Sequence, residues 1–93
     1  MPKLIGIKKT NIAVFISGAG SNLKNLINHS LTKRSKFKIT LVVSNNLKAK
    51  GLKYTKQLKI KRKVIDYSNK KDAEKKIFKA LKKNKIDLIC LAG

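Results

Sequence analysis

The stretch from Asn11 to Asn22 constrains the fold of this chain most strongly. An apolar run, Ile12–Ile16, is followed by two closely spaced glycines, Gly18 and Gly20, and an amphipathic segment begins directly after Asn22. This pattern predicts a buried strand, a tight turn and the start of a helix. Such a junction directs several backbone N–H groups and the positive end of a helix dipole at one point, so it indicates an anion site, most often for a phosphate.

Beyond this junction, apolar runs alternate with segments of helical periodicity. Strands are predicted at residues 11–16, 39–43, 63–65 and 87–91. The three intervening helices are predicted from their inward-facing residues, which are Leu23, Leu26, Ile27 and Leu31, then Leu47, Leu52, Thr55 and Leu58, then Ala73, Ile77, Ala80 and Leu81. The order βαβαβαβ predicts an α/β fold, a Rossmann-like open parallel sheet with helices on both faces.

Smaller features add detail to this prediction. Asp72 and Glu74 are placed in the first turn of the third helix, where carboxylates suit the dipole. His29 is interpreted as a half-exposed residue near the end of the first helix, without a catalytic role. Cys90 lies in an apolar run and is interpreted as a small buried hydrophobe, which indicates a reducing, cytoplasmic compartment. No metal site is predicted, and no apolar run is long enough to span a membrane.

The length of 93 residues allows one small domain. Residues 1–10 are predicted to be a basic lead-in, and residues 11–93 to form the domain. The sequence ends at Gly93, directly after a strand that is expected to be central. In open α/β sheets the ligand-binding and catalytic groups follow the carboxyl ends of such strands. The sequence therefore predicts a truncated domain.

The chain is strongly basic, with 24 Lys and Arg against 4 Asp and Glu and a net charge of +20. Only Arg34 and Arg62 are arginines, the lysines are scattered, and the five aromatic residues form no regular pattern. Sequence-specific nucleic-acid readers depend on arginine and on interleaved aromatic residues. We therefore expect a lysine-rich solvated surface that attracts small anions, and no specific nucleic-acid partner.

The glycine turn matches neither of two common phosphate motifs. A dinucleotide fingerprint needs a third glycine where Leu23 stands, and a P-loop needs a terminal G-K-[ST]. Ser21 and Asn22 are good N-cap residues, and Gly20 lets an oxygen approach the backbone closely. From the residues alone, both an anion site and a purely structural turn remain open.

The segment NIAVFISGAGSNLKNLI resembles the N-terminus of phosphoribosylglycinamide formyltransferases, in which a strand runs into S-G-x-G-S-N-L. LVVSNNLKAKGL resembles the second strand of that family, the stretch around Asn69–Ile77 the run before its third helix, and DLICLAG its D-x-x-x-L-A-G strand end. The resemblance extends from Asn11 to the end of the sequence. It implies the formyltransferase fold, of which this chain would be the N-terminal half.

The resemblance also implies a set of site residues. Gly20, Ser21 and Asn22 would hold the phosphate of glycinamide ribonucleotide, with Gly18 shaping the turn. Lys70 falls where the family often has an arginine near the folate, and it offers a point charge in place of a planar bidentate group. The co-substrate would be 10-formyltetrahydrofolate. The family's catalytic asparagine, histidine and aspartate lie beyond the L-A-G strand, so no catalytic residue is assigned.

The resemblance therefore implies formyl transfer to glycinamide ribonucleotide in purine synthesis, with this chain supplying the phosphate-binding half. We expect the chain to need a C-terminal half as its partner and to be inactive alone. Two alternatives stay open. One is a stand-alone phosphate- or nucleotide-binding module, and the other is a basic nucleic-acid-associated protein.

Overall fold

The computed structural model describes residues 9–17, 21–32 and 35–92 and contains alternating strands and helices. Their order confirms the predicted βαβαβαβ arrangement and the α/β class. The strands and helices are β1 (Thr10–Ile16), α1 (Ser21–Ser30), β2 (Phe37–Ser44), α2 (Leu52–Leu58), β3 (Lys61–Val64), α3 (Lys70–Lys83) and β4 (Leu88–Leu91).

The four strands form one parallel sheet with the order β3-β2-β1-β4. β1 pairs with β2 on one side and with β4 on the other. The first two crossovers move the chain in one direction along the sheet, and the third returns it past β1. Because such crossovers are right-handed, this reversal requires α3 to lie on the opposite face from α1 and α2.

Two hydrophobic clusters, one on each face, confirm this arrangement. The cluster under α1 and α2 contains Leu23, Ile27 and Leu52 packed on alternate residues of β1, which are Ile12, Val14 and Ile16. The cluster under α3 contains Ala73 and Ala80 packed on the other face of the same strands, against Ala13, Leu41 and Val43. The predicted inner-face residues Ile77 and Leu81 are partly buried against this second cluster.

Some side chains predicted to be buried are exposed. Leu31 is 67% exposed because α1 ends at Ser30, and Leu47 is 69% exposed because it lies in the turn before α2. Leu58, the last residue of α2, is also exposed. Glu74 lies beyond the first turn of α3, since this helix begins at Lys70 and has only Asp72 as an acidic residue there.

Burial differs between the inner and outer strands: most residues of β1 and β2 are buried, whereas those of β3 and β4 are not. All four residues of β3 are exposed, as are Leu88, Ile89 and Leu91 of β4. The physical reason is the strand order, which places β3 and β4 at the two edges of the described sheet, so β4 is not central there. Cys90 is partly buried against the cluster under α1 and α2.

Reciprocal hydrogen bonds fix β4 to the beginning of β1. The Asn11 N–H donates to Asp87 Oδ2 at 2.9 Å, and the Asp87 N–H donates to the Asn11 carbonyl at 2.8 Å. The Asn11 side-chain amide also donates to the carbonyl of Lys85, whose left-handed backbone (φ 53°) turns the chain from α3 into β4. These contacts set the register of β4 against β1, in which Leu91 near the carboxyl end of β4 pairs with Phe15 near the carboxyl end of β1.

Candidate functional site

The carboxyl end of β1 lies where the order of the strands reverses. The chain leaves β1 toward α1 on one face of the sheet, whereas α3, which leads into the neighbouring β4, covers the other face. In open parallel sheets this divergence leaves a crevice outside the carboxyl ends of the strands, and ligands bind there. The junction after Ile16 is therefore the candidate site.

Three strand ends meet at this crevice. Ile16 pairs in register with Ser44, the last residue of β2, and the Ala92 N–H beyond β4 donates to the Phe15 carbonyl at 2.9 Å. Ile16, Leu23, Ala49 and Ala92 belong to one buried cluster. The carboxyl end of β1, the segment that follows β2 and Ala92 beyond β4 are therefore packed together, and Leu23 holds the N-terminal end of α1 at this edge.

The turn after β2 is closed by its own hydrogen bonds. Ser44 is fully buried, and its Oγ donates to the Asn46 carbonyl and accepts from the Asn46 N–H, both at 3.1 Å. Asn46 Oδ1 in turn accepts the Lys48 N–H at 2.9 Å. These backbone donors are engaged within the turn, which leaves the N-terminus of α1 as the better anion-binding element.

The structure places two of the three predicted phosphate-binding residues at this helix terminus. Ser21 is the first residue of α1, and Asn22 is the second, with an exposed side chain. Gly20 and Gly18 lie outside the described residues. The first turn of α1 carries no acidic residue, so no carboxylate of that turn competes with an anion for the N–H groups that lack an intrahelical partner.

Lys70, the predicted folate-side residue, lies on the other face of the sheet. It is the exposed first residue of α3, whose N-cap Asn69 accepts the Asp72 N–H at 3.1 Å. It borders a cavity of about 330 Å³ whose other lining residues are Phe15, Tyr67, Ala73, Glu74 and Ile77. Phe15 and Tyr67 are not evident from the sequence as neighbours of Lys70, because only the crossover of α3 brings them together.

Two ionisable groups before α3 have shifted pKa values. The backbone N–H of Ser68, with its side chain and the charge of Lys76, holds the pKa of the Asp66 carboxyl below its usual range. Burial raises the pKa of Tyr67. Asp66 is therefore ionised and Tyr67 neutral near pH 7.

His29 lies away from the crevice. It is exposed in the last turn of α1, and its ring stacks on Phe37 at the start of β2, with 5.2 Å between centroids. The ring is near the end of α1, as predicted, and is exposed where a half-exposed position was expected. Within the described ranges, no group of three His, Cys, Asp or Glu side chains is arranged to hold a metal ion, and no helix is both long and apolar enough to cross a bilayer.

A parallel sheet with a reversal of strand order, and helices on both of its faces, defines an open, doubly wound α/β protein. The match to known families is more specific. The sequence model of the family described as "Formyl transferase" matches residues 10–93. The chain belongs to this family, as the resemblance predicted.

Individual relatives agree with the family match. The phosphoribosylglycinamide formyltransferase of Haemophilus influenzae is 38% identical over 85 residues, covering 88% of this chain and 40% of the relative. The trifunctional purine biosynthetic protein adenosine-3 of Gallus gallus is 37% identical, covering 96% of this chain and 9% of the relative. The crystal structure of phosphoribosylglycinamide formyltransferase from Brucella melitensis superimposes with a TM-score of 0.87 at 35% identity, covering 92% of this chain and 46% of that one. The chain thus spans less than half the length of each.

Proposed function

We propose that this chain is the substrate-binding part of a phosphoribosylglycinamide formyltransferase. Such an enzyme transfers the formyl group of 10-formyltetrahydrofolate to the amine of glycinamide ribonucleotide. The observation that carries the proposal is the position of Ser21 and Asn22, at the start of α1 and beside the reversal of strand order, in a formyl transferase family member. The names of its relatives point to the same reaction.

In this proposal Gly20, Ser21 and Asn22 hold the phosphate of glycinamide ribonucleotide. The first N–H groups of a helix have no intrahelical partner, so they donate to the phosphate oxygens, and the helix dipole favours the negative charge. Glycine at position 20 admits the oxygens because it has no Cβ. Binding energy from this non-reacting phosphate positions the amine for attack on the formyl carbon.

Selective binding of glycinamide ribonucleotide tests this assignment. We expect isothermal titration calorimetry at about 0.15 M salt to show at least about tenfold tighter binding of glycinamide ribonucleotide than of AMP. AMP is the matched control because it also carries one phosphate on a ribose, so general attraction to the basic surface acts on both ligands. Equal affinities would support a general phosphate- or nucleotide-binding module instead.

We further propose that the rest of a formyl transferase domain covers β4 and supplies the catalytic groups. β4 has a free edge in the described sheet, and its Leu88, Ile89 and Leu91 are 55%, 44% and 80% exposed. An exposed apolar edge strand of this kind readily pairs with a further strand. The relatives are more than twice as long as the matched region, so they carry additional chain that can provide such strands.

A chimaera tests both this partner and the role of Lys70. We expect no formyl transfer by the 93-residue chain alone, and transfer after fusion to the part of the Haemophilus influenzae relative that follows its matched region.

In this chimaera, Lys70→Ala is expected to raise the KM for 10-formyltetrahydrofolate by about three- to tenfold, because a cation facing the folate is lost. The KM for glycinamide ribonucleotide should stay unchanged.

Lys71→Ala is the matched control, because Lys71 is the next residue of α3 and is also exposed. Equal effects of the two variants would contradict the assignment of Lys70. Formyl transfer by the unfused chain would contradict the division of roles between the two parts.

A further inference from the structure

A groove on the α3 face of the sheet, opposite α1, is lined by two facing rows of lysines. The first row is on β3, where Lys61 and Lys63 pair in register with Leu41 and Val43. Leu41 and Val43 belong to the cluster under α3, and paired residues of neighbouring strands share a face. Lys61 and Lys63 therefore lie on the same side of the sheet as α3.

The second row is on α3. Lys76, Lys79 and Lys83 follow the spacing i, i+3, i+7, which places them on one stripe of the helix, together with the buried Ala80. The rise of about 1.5 Å per residue extends this row over roughly 10 Å. The two rows border a cavity of about 620 Å³, whose lining also includes Leu41, Arg62, Ala80 and Asn84.

The charge of this groove is not balanced locally. It has six cationic lining residues, and among the described residues that line it none is acidic or aromatic. The Asp72 carboxylate, which pairs with Lys76 at 3.1 Å, neutralises one of them from outside the lining. Like charges gathered around one cavity repel each other, and a ligand with several negative charges relieves this repulsion.

We propose that this lysine groove binds a compact oligophosphate, either inorganic triphosphate or the triphosphate group of a nucleotide. Lysines on two opposite walls suit a ligand with charge on all sides, and the cavity volume lies in the usual range for small-ligand sites. A single-stranded nucleic acid is less favoured, because its bases usually stack on aromatic side chains and the described lining offers none.

This site is separate from the proposed substrate site. α3 begins at Lys70, near the carboxyl edge of the sheet, and runs back to Lys83 at the amino edge. The groove uses the second half of this helix, whereas α1 lies on the opposite face. The proposal therefore does not depend on the identity of the substrate.

Titration of the full chain with inorganic triphosphate at about 0.15 M salt tests the proposal. We expect the double variant Lys79→Gln/Lys83→Gln to weaken triphosphate binding by at least about tenfold, since two of the facing charges are lost. The control Lys24→Gln/Lys56→Gln removes the same charge from two exposed helical positions outside the groove and should change the affinity by less than about twofold. ATP is expected to bind about as tightly as triphosphate, because the described lining offers no ring to hold the base.

The double variant Lys61→Gln/Lys63→Gln removes two charges from the β3 wall and should weaken triphosphate binding to the same extent. If circular dichroism shows that the α3 variant is unfolded, the β3 variant provides the test of the groove. Equal losses in the groove and control variants would overturn the proposal in favour of general attraction. Undetectable triphosphate binding would also overturn it. Tighter, groove-dependent binding of an oligothymidylate would identify a nucleic-acid surface instead.

Discussion

Replacement of Asn22 by aspartate is expected to weaken the binding of glycinamide ribonucleotide by about 10- to 100-fold. Asn22 is the exposed second residue of α1, so a carboxylate there would lie beside the bound phosphate. Two like charges about 4 Å apart repel by roughly 1–4 kcal/mol at dielectric constants between water and a protein surface. The helix itself should not weaken, because a carboxylate in the first turn suits the dipole. Isothermal titration calorimetry measures the affinity, and thermal unfolding checks the fold.

Asn28→Asp is the matched control for this variant. Asn28 is also exposed on α1, but it lies in the last turns of the helix, so the same charge change acts far from the proposed phosphate. We expect it to alter the affinity by less than about twofold, as for a screened surface charge. If Asn22→Asp and Asn28→Asp weaken binding equally, the N-terminus of α1 does not hold the phosphate.

Leu23→Ala is expected to destabilise the fold by about 2–5 kcal/mol. Leu23 is fully buried in the cluster that joins α1 to the ends of β1, β2 and β4. Small domains are stable by only about 5–15 kcal/mol, so this loss would be a large part of the total and would loosen the crevice. Urea denaturation followed by circular dichroism measures the change in the free energy of unfolding.

Leu31→Ala removes the same side chain from a position that is 67% exposed. This control should change the free energy of unfolding by less than about 0.5 kcal/mol. Comparable losses for the two variants would contradict the burial of Leu23 and the end of α1 at Ser30.

The predictable part of the fold depends on local patterns. The apolar run Ile12–Ile16 and the helical stripes determine the type and order of the strands and helices, and crossover handedness then orients them. The order of strands in the sheet is a tertiary property, so the exposure of the apolar β4 could not be predicted from its own residues, whereas three of the four residues of β3 are cations that favour exposure. Leu31 was expected to be buried and is exposed for a different reason. Apolar periodicity continues past the end of α1, and helix ends are poorly defined by sequence.

The candidate site likewise has a part that local sequence patterns indicate and a part that only the tertiary structure brings together. The strand–turn–helix pattern around Ser21 and Asn22 left an anion site and a structural turn open, and the family resemblance implied their phosphate-binding role. The structure places both residues at the reversal of strand order. Lys70 came from a family resemblance, and its role stays a proposal. The cavity beside it and the lysine groove could not be predicted, because each combines residues from α3 with residues of distant strands.

Nuclear magnetic resonance titration of the isotope-labelled chain with glycinamide ribonucleotide tests the central claim most directly. The proposed phosphate site predicts that the backbone amide resonances of Gly20, Ser21 and Asn22 shift most, since their N–H groups would donate to the phosphate. The amides of Lys61, Lys63 and Lys79 should move little, because the lysine groove lies on the other face of the sheet. The largest shifts in that groove, with residues 20–22 unmoved, would contradict the claim.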